Sequence, residues 1–155
     1  MAKSTINWPK SLPPGLQAGR SYRRQSPNER SKMASGRAIQ RRVYPGAPWY
    51  GQISWLMSDV QAQAFMGWAR DVLMDCNYWF NSPLRTPLGY GMHSVRIVDH
   101  YDGPSMAGPG LWSFSAEVEF DDGPLIPVGE GEFPDDVVQS SIFDLTMNKE
   151  WPTNE

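Results

Sequence analysis

Few residues in this chain have the type and spacing that a catalytic or metal site needs. The two histidines, His93 and His100, are seven residues apart in a segment that we predict to be a β-strand. Because side chains alternate between the two faces of a strand, an odd spacing points them to opposite faces. Asp99 and Asp102 near His100 could complete a weak metal cluster, but surface polar residues at a strand end explain them better. We therefore predict no metal site and no cofactor.

The carboxylates and the cysteine also lack a catalytic arrangement. Glu117 and Glu119 share one face of a predicted strand that Asp121 continues. A glycosidase needs two carboxylates about 5–10 Å apart, but the solvated face of an amphipathic strand accounts for all three residues. Cys76 lies at the C-terminal end of a predicted helix, where the helix dipole disfavours a thiolate. The sequence contains no phosphate-binding glycine loop and no nucleophile elbow, so we predict that the protein is not an enzyme.

The charges of the chain are divided between its two ends. The first 50 residues carry ten Lys or Arg and one acid, whereas residues 101–155 carry one Lys and twelve acids. The net charge of −3 therefore conceals a basic N-terminal third and an acidic C-terminal third. An asymmetry of this kind is typical of an interaction surface or a charged tail.

Residues 1–48 are predicted to form an extended basic N-terminal arm. The segment is rich in Pro and Gly, and its apolar residues follow neither a helical nor a strand period. Proline fixes φ and removes a backbone donor, so such a segment tends to be extended and is ordered only on another surface. We expect Trp8 and Leu12 to anchor the arm on a partner. The basic residues expected to bind acidic partners are Arg23, Arg24, Arg30, Lys32, Arg37, Arg41 and Arg42.

Residues 49–121 are predicted to form the core domain. The aromatic and β-branched content of residues 49–57 favours a strand. Ser58 and Gln61 match a capping box, and apolar residues then repeat at helical spacing over about 58–76. The core therefore contains at least one strand followed directly by an amphipathic helix.

The remaining elements of the core are predicted to be short strands. Residues 78–80 read as a strand that a Pro/Gly-rich loop follows, and residues 93–101 and 112–120 read as an antiparallel hairpin joined by a second such loop. Residues 122–155 form an acidic C-terminal extension, with a last short element at 137–147. The predicted fold class is α+β: a small antiparallel β-sheet or sandwich with one amphipathic helix packed on it, plus the arm.

Composition also limits where the protein functions. A single cysteine, Cys76, cannot form an intramolecular disulfide. No stretch approaches the roughly 18 consecutive apolar residues of a membrane span, and the N-terminus lacks the apolar core of a secretion signal. We expect a protein that is made inside the cell and does not span a membrane.

Two classes of partner suit the basic arm. Arg-rich segments interleaved with tyrosine, such as Arg41-Arg42-Val43-Tyr44, bind the phosphates of nucleic acid. Basic arms also dock on acidic protein surfaces, and the acidic half of a second copy of this chain is such a surface, which head-to-tail contacts could close into a ring. We favour protein docking and keep nucleic-acid binding as the alternative.

A series of short motifs runs along the chain in a distinctive order. The motifs are Trp8-Pro9, Leu12-Pro13, Met33-Ala34-Ser35-Gly36-Arg37, Arg41-Arg42, Ser54-Trp55, Trp79-Phe80, Pro83-Leu84, Val95-Arg96-Ile97, Leu111-Trp112 and Ser115-Ala116-Glu117-Val118-Glu119. In this order they resemble a family of small tailed-bacteriophage proteins. The resemblance implies a structural subunit of the virion, in the tail, tail tip or neck, made in the host cytoplasm. Taken with the charge division, it leads us to expect that the basic arm binds other virion proteins and copies of the same chain in a ring.

Overall fold

The computed structural model describes residues 4–44 and 46–140, and the chain divides into two compact units. The first unit is Met1–Pro124 and the second is Leu125–Glu155. In the first unit the strands are β1 (Ser21–Arg24), β2 (Asn28–Lys32), β3 (Ala38–Arg42), β4 (Trp49–Ser58), β5 (Phe80–Thr86), β6 (Gly89–Ile97), β7 (Asp102–Gly108) and β8 (Leu111–Phe120), and the helix, α1, is Asp59–Asp71.

Six of these strands form one antiparallel sheet. Its order is β1-β4-β8-β6-β5, with β7 also paired to β8. β4 pairs with the whole length of β8, from Trp49 opposite Phe120 to Ser58 opposite Leu111. The other edge of β8 is shared, because β6 pairs with its last three residues and β7 with its first half. An antiparallel sheet combined with helical structure confirms the predicted α+β class.

The core lies between one face of this sheet and α1. Alternate residues of β4 from Gly51 to Met57 are buried, as are alternate residues of β8 from Phe114 to Phe120. Phe65 of α1 packs on this face, with its ring centroid 5.0 Å from that of Phe114. Full burial of such a side chain contributes about 2–3 kcal/mol, so the regular alternation determines which face of the sheet the helix covers.

Helix α1 begins where the sequence predicts and ends earlier. The backbone N–H of Ser58 donates to the side-chain oxygen of Gln61 at 3.1 Å, as a capping box requires. The prediction that the helix continues to residue 76 is wrong. A left-handed turn follows the helix, with φ values of 49°, 56° and 70° at Met74, Asp75 and Cys76. The left-handed turn, and not a longer helix, therefore directs the buried apolar residues after α1 into the core.

Residues 4–24 pack on the folded body through a few buried anchors and do not form a separate extended arm. Trp8 is 7% exposed and Leu12 is 5% exposed. The backbone N–H of Trp8 donates to the carbonyl of Asn81, and the N–H of Asn81 donates to the carbonyl of Ile6, both at 2.8 Å. The prediction of an arm relies on the absence of a helical or strand period in the apolar residues. A segment without such a period can still be ordered along a sheet edge, by hydrogen bonds of this kind and by its buried anchors.

The sheet also crosses the domain boundary predicted at residue 48. Arg24 of β1 lies opposite Trp49 of β4. The hydroxyl of Tyr22 donates to the backbone carbonyl of Arg85 at 2.7 Å, which joins β1 to β5, the two ends of the strand order. The sheet is therefore curled around the core, and β1 is one of its integral strands.

Two segments predicted as loops are strands at sheet edges. β5 (Phe80–Thr86) includes Pro83, and β7 occupies most of the loop expected between the last two predicted strands. Proline cannot donate to a strand ladder, so it is tolerated mainly in edge strands. The same residues that indicated loops are thus compatible with strands in these positions.

The second unit is described as far as residue 140. It contains a 3-10 helix at Glu130–Glu132 and is helical over residues 134–140. The acidic extension is predicted to begin at residue 122, whereas the second unit begins at Leu125, and most of the element predicted at 137–147 lies outside the described residues. None of the described helices is long and apolar enough to cross a membrane.

Candidate docking surface

A two-stranded hairpin extends the β1–β4 pair. The backbone N–H of Gln25 donates to the carbonyl of Pro48 at 3.0 Å, and the N–H of Val43 donates to the carbonyl of Pro27 at 2.9 Å. Beyond these bonds, β2 and β3 form a separate two-stranded sheet. We call residues 28–42 the basic hairpin.

The basic hairpin gathers five of the residues predicted to bind a partner. It carries five basic residues and one acid, a net charge of +4. The basic residues are Arg30, Lys32, Arg37, Arg41 and Arg42. All of β2 is exposed, and so is every residue of β3 except Ala38, which is partly buried. The sequence therefore identified a set of residues that the structure places on one exposed element.

The pairing register gives the basic hairpin two different faces. Arg30 lies opposite Gln40, and Lys32 opposite Ala38, while Asn28 lies opposite Arg42. Residues directly opposite each other in an antiparallel pair share a face, so one face carries three cations and no acid. The other face carries the Glu29–Arg41 and Ser31–Ile39 pairs. One face is thus suited to a negatively charged surface, and the other is mixed.

The cations of the hairpin differ in their local partners. Arg41 forms an ion pair with Glu29 at 3.4 Å, in which both side chains are largely exposed. The side chain of Arg42 donates to the carbonyl of Tyr44 at 3.2 Å. Within the described parts of the chain, the side chains of Arg30, Lys32 and Arg37 have no hydrogen-bond or ion-pair partner. These last three charges are solvated in the isolated chain and available to a partner.

Exposed apolar side chains accompany the charges. Ile39 is 52% exposed and Met33 is 48% exposed. Met33 lines a cavity of about 400 Å³ at the hairpin tip together with Arg30, Lys32, Gly36, Arg37 and Ala38. Gly36 has a φ of 78°, a left-handed conformation that glycine adopts without strain. The tip therefore combines a tight turn, cations and accessible apolar surface, as protein docking surfaces commonly do.

The two remaining predicted arginines lie at the base of the hairpin. Arg23 forms an ion pair with Glu117 at 2.7 Å and its guanidinium lies 5.5 Å from the ring centroid of Tyr50. Arg24 lines a cavity of about 540 Å³ beside it. Arg23 is thus paired with an acid of its own chain while its side chain stays 74% exposed, and its role towards a partner stays a prediction. Trp8 and Leu12, in contrast, are core residues and do not form a surface.

The carboxylates of β8 hold arginines of two other strands of the sheet. Glu119 lies opposite Arg96 of the adjacent β6 and forms an ion pair with it at 2.8 Å. Arg96 also lies over Trp79, 4.9 Å from the ring centroid. Glu117 pairs with Arg23 of β1, on the far side of the intervening β4, so the two carboxylates organise the outer face of the sheet.

An acidic cavity lies next to these ion pairs on the outer face. It has a volume of about 390 Å³ and is lined by Tyr50, Asp75, Cys76, Asn77, Arg96, Ile97, Val98, Asp99 and Glu119. Glu119 and Arg96 compensate each other. Neither Asp75 nor Asp99 forms an ion pair with any residue that the structure describes. The mouth of this cavity therefore carries two carboxylates that belong to no described ion pair, and one of them, Asp75, also interacts electrostatically with Arg70.

The other polar candidates from the sequence have separate environments. His93 packs edge-on against Phe120, and burial lowers its pKa. His100 packs against Tyr101. Burial raises the pKa of the Cys76 thiol, which favours its neutral form. Among residues 4–44 and 46–140, no group of His, Cys, Asp or Glu is arranged to hold a metal ion.

Sequence reasoning missed the strand character of the hairpin. Its strands are exposed on both faces, so they show no apolar alternation for a pattern to detect. A turn signal was present in Ala34-Ser35-Gly36, with polar segments of equal length on either side. Symmetry about a turn is thus the feature that could have indicated a hairpin here.

Comparison of this chain with protein-family models, with curated proteins and with solved structures finds no match.

Proposed function

We propose that this chain is a structural subunit of a tailed-bacteriophage virion, in the tail, tail tip or neck. In this proposal the basic hairpin binds neighbouring virion proteins, and the curled sheet with α1 is the rigid body that presents it. The observation that carries the proposal is an exposed, ordered hairpin with three cations that have no partner in the described chain.

The hairpin is difficult to explain by the stability of the isolated chain. Isolated two-stranded hairpins are marginally stable in water, and ordering each residue costs about 1–2 kcal/mol of conformational entropy. Burial recovers little of that cost here, because the residues of β2 and β3 are nearly all exposed. Contacts with a partner would supply the missing burial and charge compensation, which supports a docking role.

The outer face of the sheet supports a structural protein and not a hydrolase. Glu117 and Glu119 are held in ion pairs with Arg23 and Arg96. Each of these carboxylates already accepts a hydrogen bond from a guanidinium of another strand, so each is engaged in joining strands of the sheet. The ion pairs therefore favour a structural role for these carboxylates, which is to hold strands of the sheet together, over the acid–base role that a glycosidase would need.

Nucleic-acid binding is the second candidate function. A two-stranded β-ribbon fits the major groove of B-DNA, and one face of the basic hairpin presents Arg30, Lys32 and Arg42. A gel-shift assay with duplex and single-stranded DNA tests this candidate. Micromolar affinity with a steep salt dependence would favour it. The variant with Arg30→Glu and Lys32→Glu would lose two phosphate contacts, so the slope of log K against log salt concentration should become shallower by about 2.

Particle incorporation tests the proposed function. Phage particles are produced with the chain carrying Arg30→Glu and Lys32→Glu, purified, and analysed by quantitative mass spectrometry. A matched control carries Lys10→Glu and Arg85→Glu, which are exposed positions outside the hairpin with the same total change in charge. We expect the hairpin variant to be lost from particles or to block their assembly, and the control to be retained. Equal incorporation of both variants would refute the proposal.

A further inference from the structure

The charge of the basic hairpin is opposite to that of the rest of the chain. The hairpin carries +4 and the whole chain −3, so all other residues together carry −7. Opposite charges on separate surfaces of one molecule favour contacts between copies, because each copy then offers both halves of the interface.

Within one chain, the hairpin does not use this complementarity. β2 and β3 form their own sheet, and the side chains of Arg30, Lys32 and Arg37 meet no acid among the described residues. An extended strand rises about 3.3 Å per residue, so the five-residue strands β2 and β3 give the hairpin a length of about 16 Å. A hairpin of that reach can contact a neighbouring molecule while its own body stays outside the interface.

Within the first unit, the acceptor that combines carboxylates outside any described ion pair with a cleft is the mouth of the acidic cavity. Asp75 and Asp99 carry charges without an ion-pair partner there, whereas Glu117 and Glu119 are already compensated. The cavity of about 390 Å³ is large enough to admit one long cationic side chain beside the ring of Tyr50. This mouth lies at the base of the hairpin, at the opposite end from the tip that would bind it.

We infer that the basic hairpin of one copy docks at the acidic cavity of a second copy, next to Asp75 and Asp99. This inference rests on the proposed function and specifies the partner. Because donor and acceptor are different surfaces, the contact is heterologous, and repetition of it produces a closed ring or an open row of subunits. Exposed ion pairs are screened within about 8 Å at physiological salt, so association is strongest at low salt.

A charge-swap experiment tests the pairing directly. One full-length variant carries Arg30→Glu and Lys32→Glu, and a second carries Asp75→Lys and Asp99→Lys. In the first variant alone, the hairpin has no net charge and its two introduced carboxylates face the acidic acceptor; in the second alone, hairpin and acceptor are both basic. In an equimolar mixture, the natural hairpin of the second variant meets the natural acceptor of the first, and the introduced carboxylates meet the introduced ammonium groups. Self-association is measured by sedimentation velocity over a range of protein concentrations at low salt.

The inference predicts a specific pattern of results. Each variant alone should require a concentration roughly ten-fold or more above the natural chain to associate. The mixture should associate like the natural chain, as should the control with Lys10→Glu and Arg85→Glu. A mixture that associates no better than its components would overturn the inference, as would unchanged association of either variant alone.

A second acceptor variant protects the test against a folding defect. Asp75 and Asp99 both have a φ of 56°, a conformation that Asn tolerates better than Lys. The variant with Asp75→Asn and Asp99→Asn should therefore keep the thermal melt of the natural chain and still lose association. Normal association of this neutral variant would overturn the inference.

Failure of the inference can be distinguished from failure of the proposed function. Suppose the hairpin variant is lost from particles but the charge-swapped mixture does not associate. The hairpin then serves a different virion protein, and only the inference fails. If the hairpin variant enters particles normally but loses binding to duplex DNA, both are refuted in favour of nucleic-acid binding.

Discussion

The indole of Trp8 stacks on the indole of Trp55, with ring centroids 5.5 Å apart and planes inclined by 13°. Trp8 also lies 5.4 Å from Trp68 of α1 and 6.1 Å from Phe80 of β5, measured between ring centroids. One residue from the irregular N-terminal segment thus contacts the helix and two strands of the sheet. The segment that contains Trp8 therefore contributes to folding. The docking role that we propose belongs to the basic hairpin.

Replacing Trp8 with alanine should strongly destabilise the first unit. The change removes a buried indole from the centre of an aromatic cluster, and such truncations cost about 3–5 kcal/mol. Urea unfolding followed by tryptophan fluorescence and circular dichroism measures the loss. Tyr44→Ala is the control, because Tyr44 is 64% exposed and its loss should change stability by no more than about 0.5 kcal/mol. Equal effects of the two changes would show that Trp8 is not a core residue.

Removing the basic hairpin should leave the body folded. In this variant a short Gly-Ser turn replaces residues 28–42. Since β2 and β3 form a sheet separate from the main one, the free energy of unfolding should change by less than about 1 kcal/mol. Chemical denaturation checks this. Loss of the cooperative transition would mean that the hairpin is part of the core.

The two ion pairs of β8 should differ in strength. The side chains of Arg96 and Glu119 are 39% and 22% exposed, while those of Arg23 and Glu117 are 74% and 37% exposed. Exposed pairs contribute about 0.2–1 kcal/mol, so we expect the first pair near the top of this range and the second near the bottom. Double-mutant cycles with alanine at each position measure both coupling energies. A stronger coupling for the Arg23 pair would contradict the described geometry.

The stability of the first unit should fall in mild acid because of His93. Burial lowers the pKa of this imidazole in the folded chain, so the unfolded chain takes up its proton at a higher pH. The stability contributed by His93 is therefore complete above the ordinary pKa of 6.5 and is lost as the pH falls below it. Urea unfolding between pH 8 and pH 5 measures this dependence. His93→Gln should flatten it, and an unchanged slope in that variant would assign the effect to other groups.

The elements that were predictable from sequence are those with a buried face. β4, α1 and β8 each alternate or repeat with the period of their own structure, and the capping box at Ser58 marks the start of the helix correctly. In each case the side chains that pack the core also make the local pattern. The sheet and helix could therefore be predicted without knowledge of the other strands.

The elements that were not predictable depend on distant partners. β1 is ordered by its pairing with β4, and Trp8 by rings that come from α1, β4 and β5. β7 contains Gly and Pro and is a strand because it pairs with the free half of β8. The acidic cavity likewise joins residues from the turn after α1 and from the chain after β6. No local pattern records contacts of this kind.

Cross-linking inside assembling particles tests the docking role of the basic hairpin most directly. A photo-reactive amino acid replaces Gln40, which lies opposite Arg30 on the cationic face of the hairpin, and the control replaces Val60, which is 76% exposed on α1. After irradiation, the cross-linked peptides are identified by mass spectrometry. The account predicts cross-links from position 40 to virion protein, including peptides around Asp75 or Asp99 of a second copy, and few from position 60. Cross-links from position 40 to DNA alone, or none in intact particles, would contradict it.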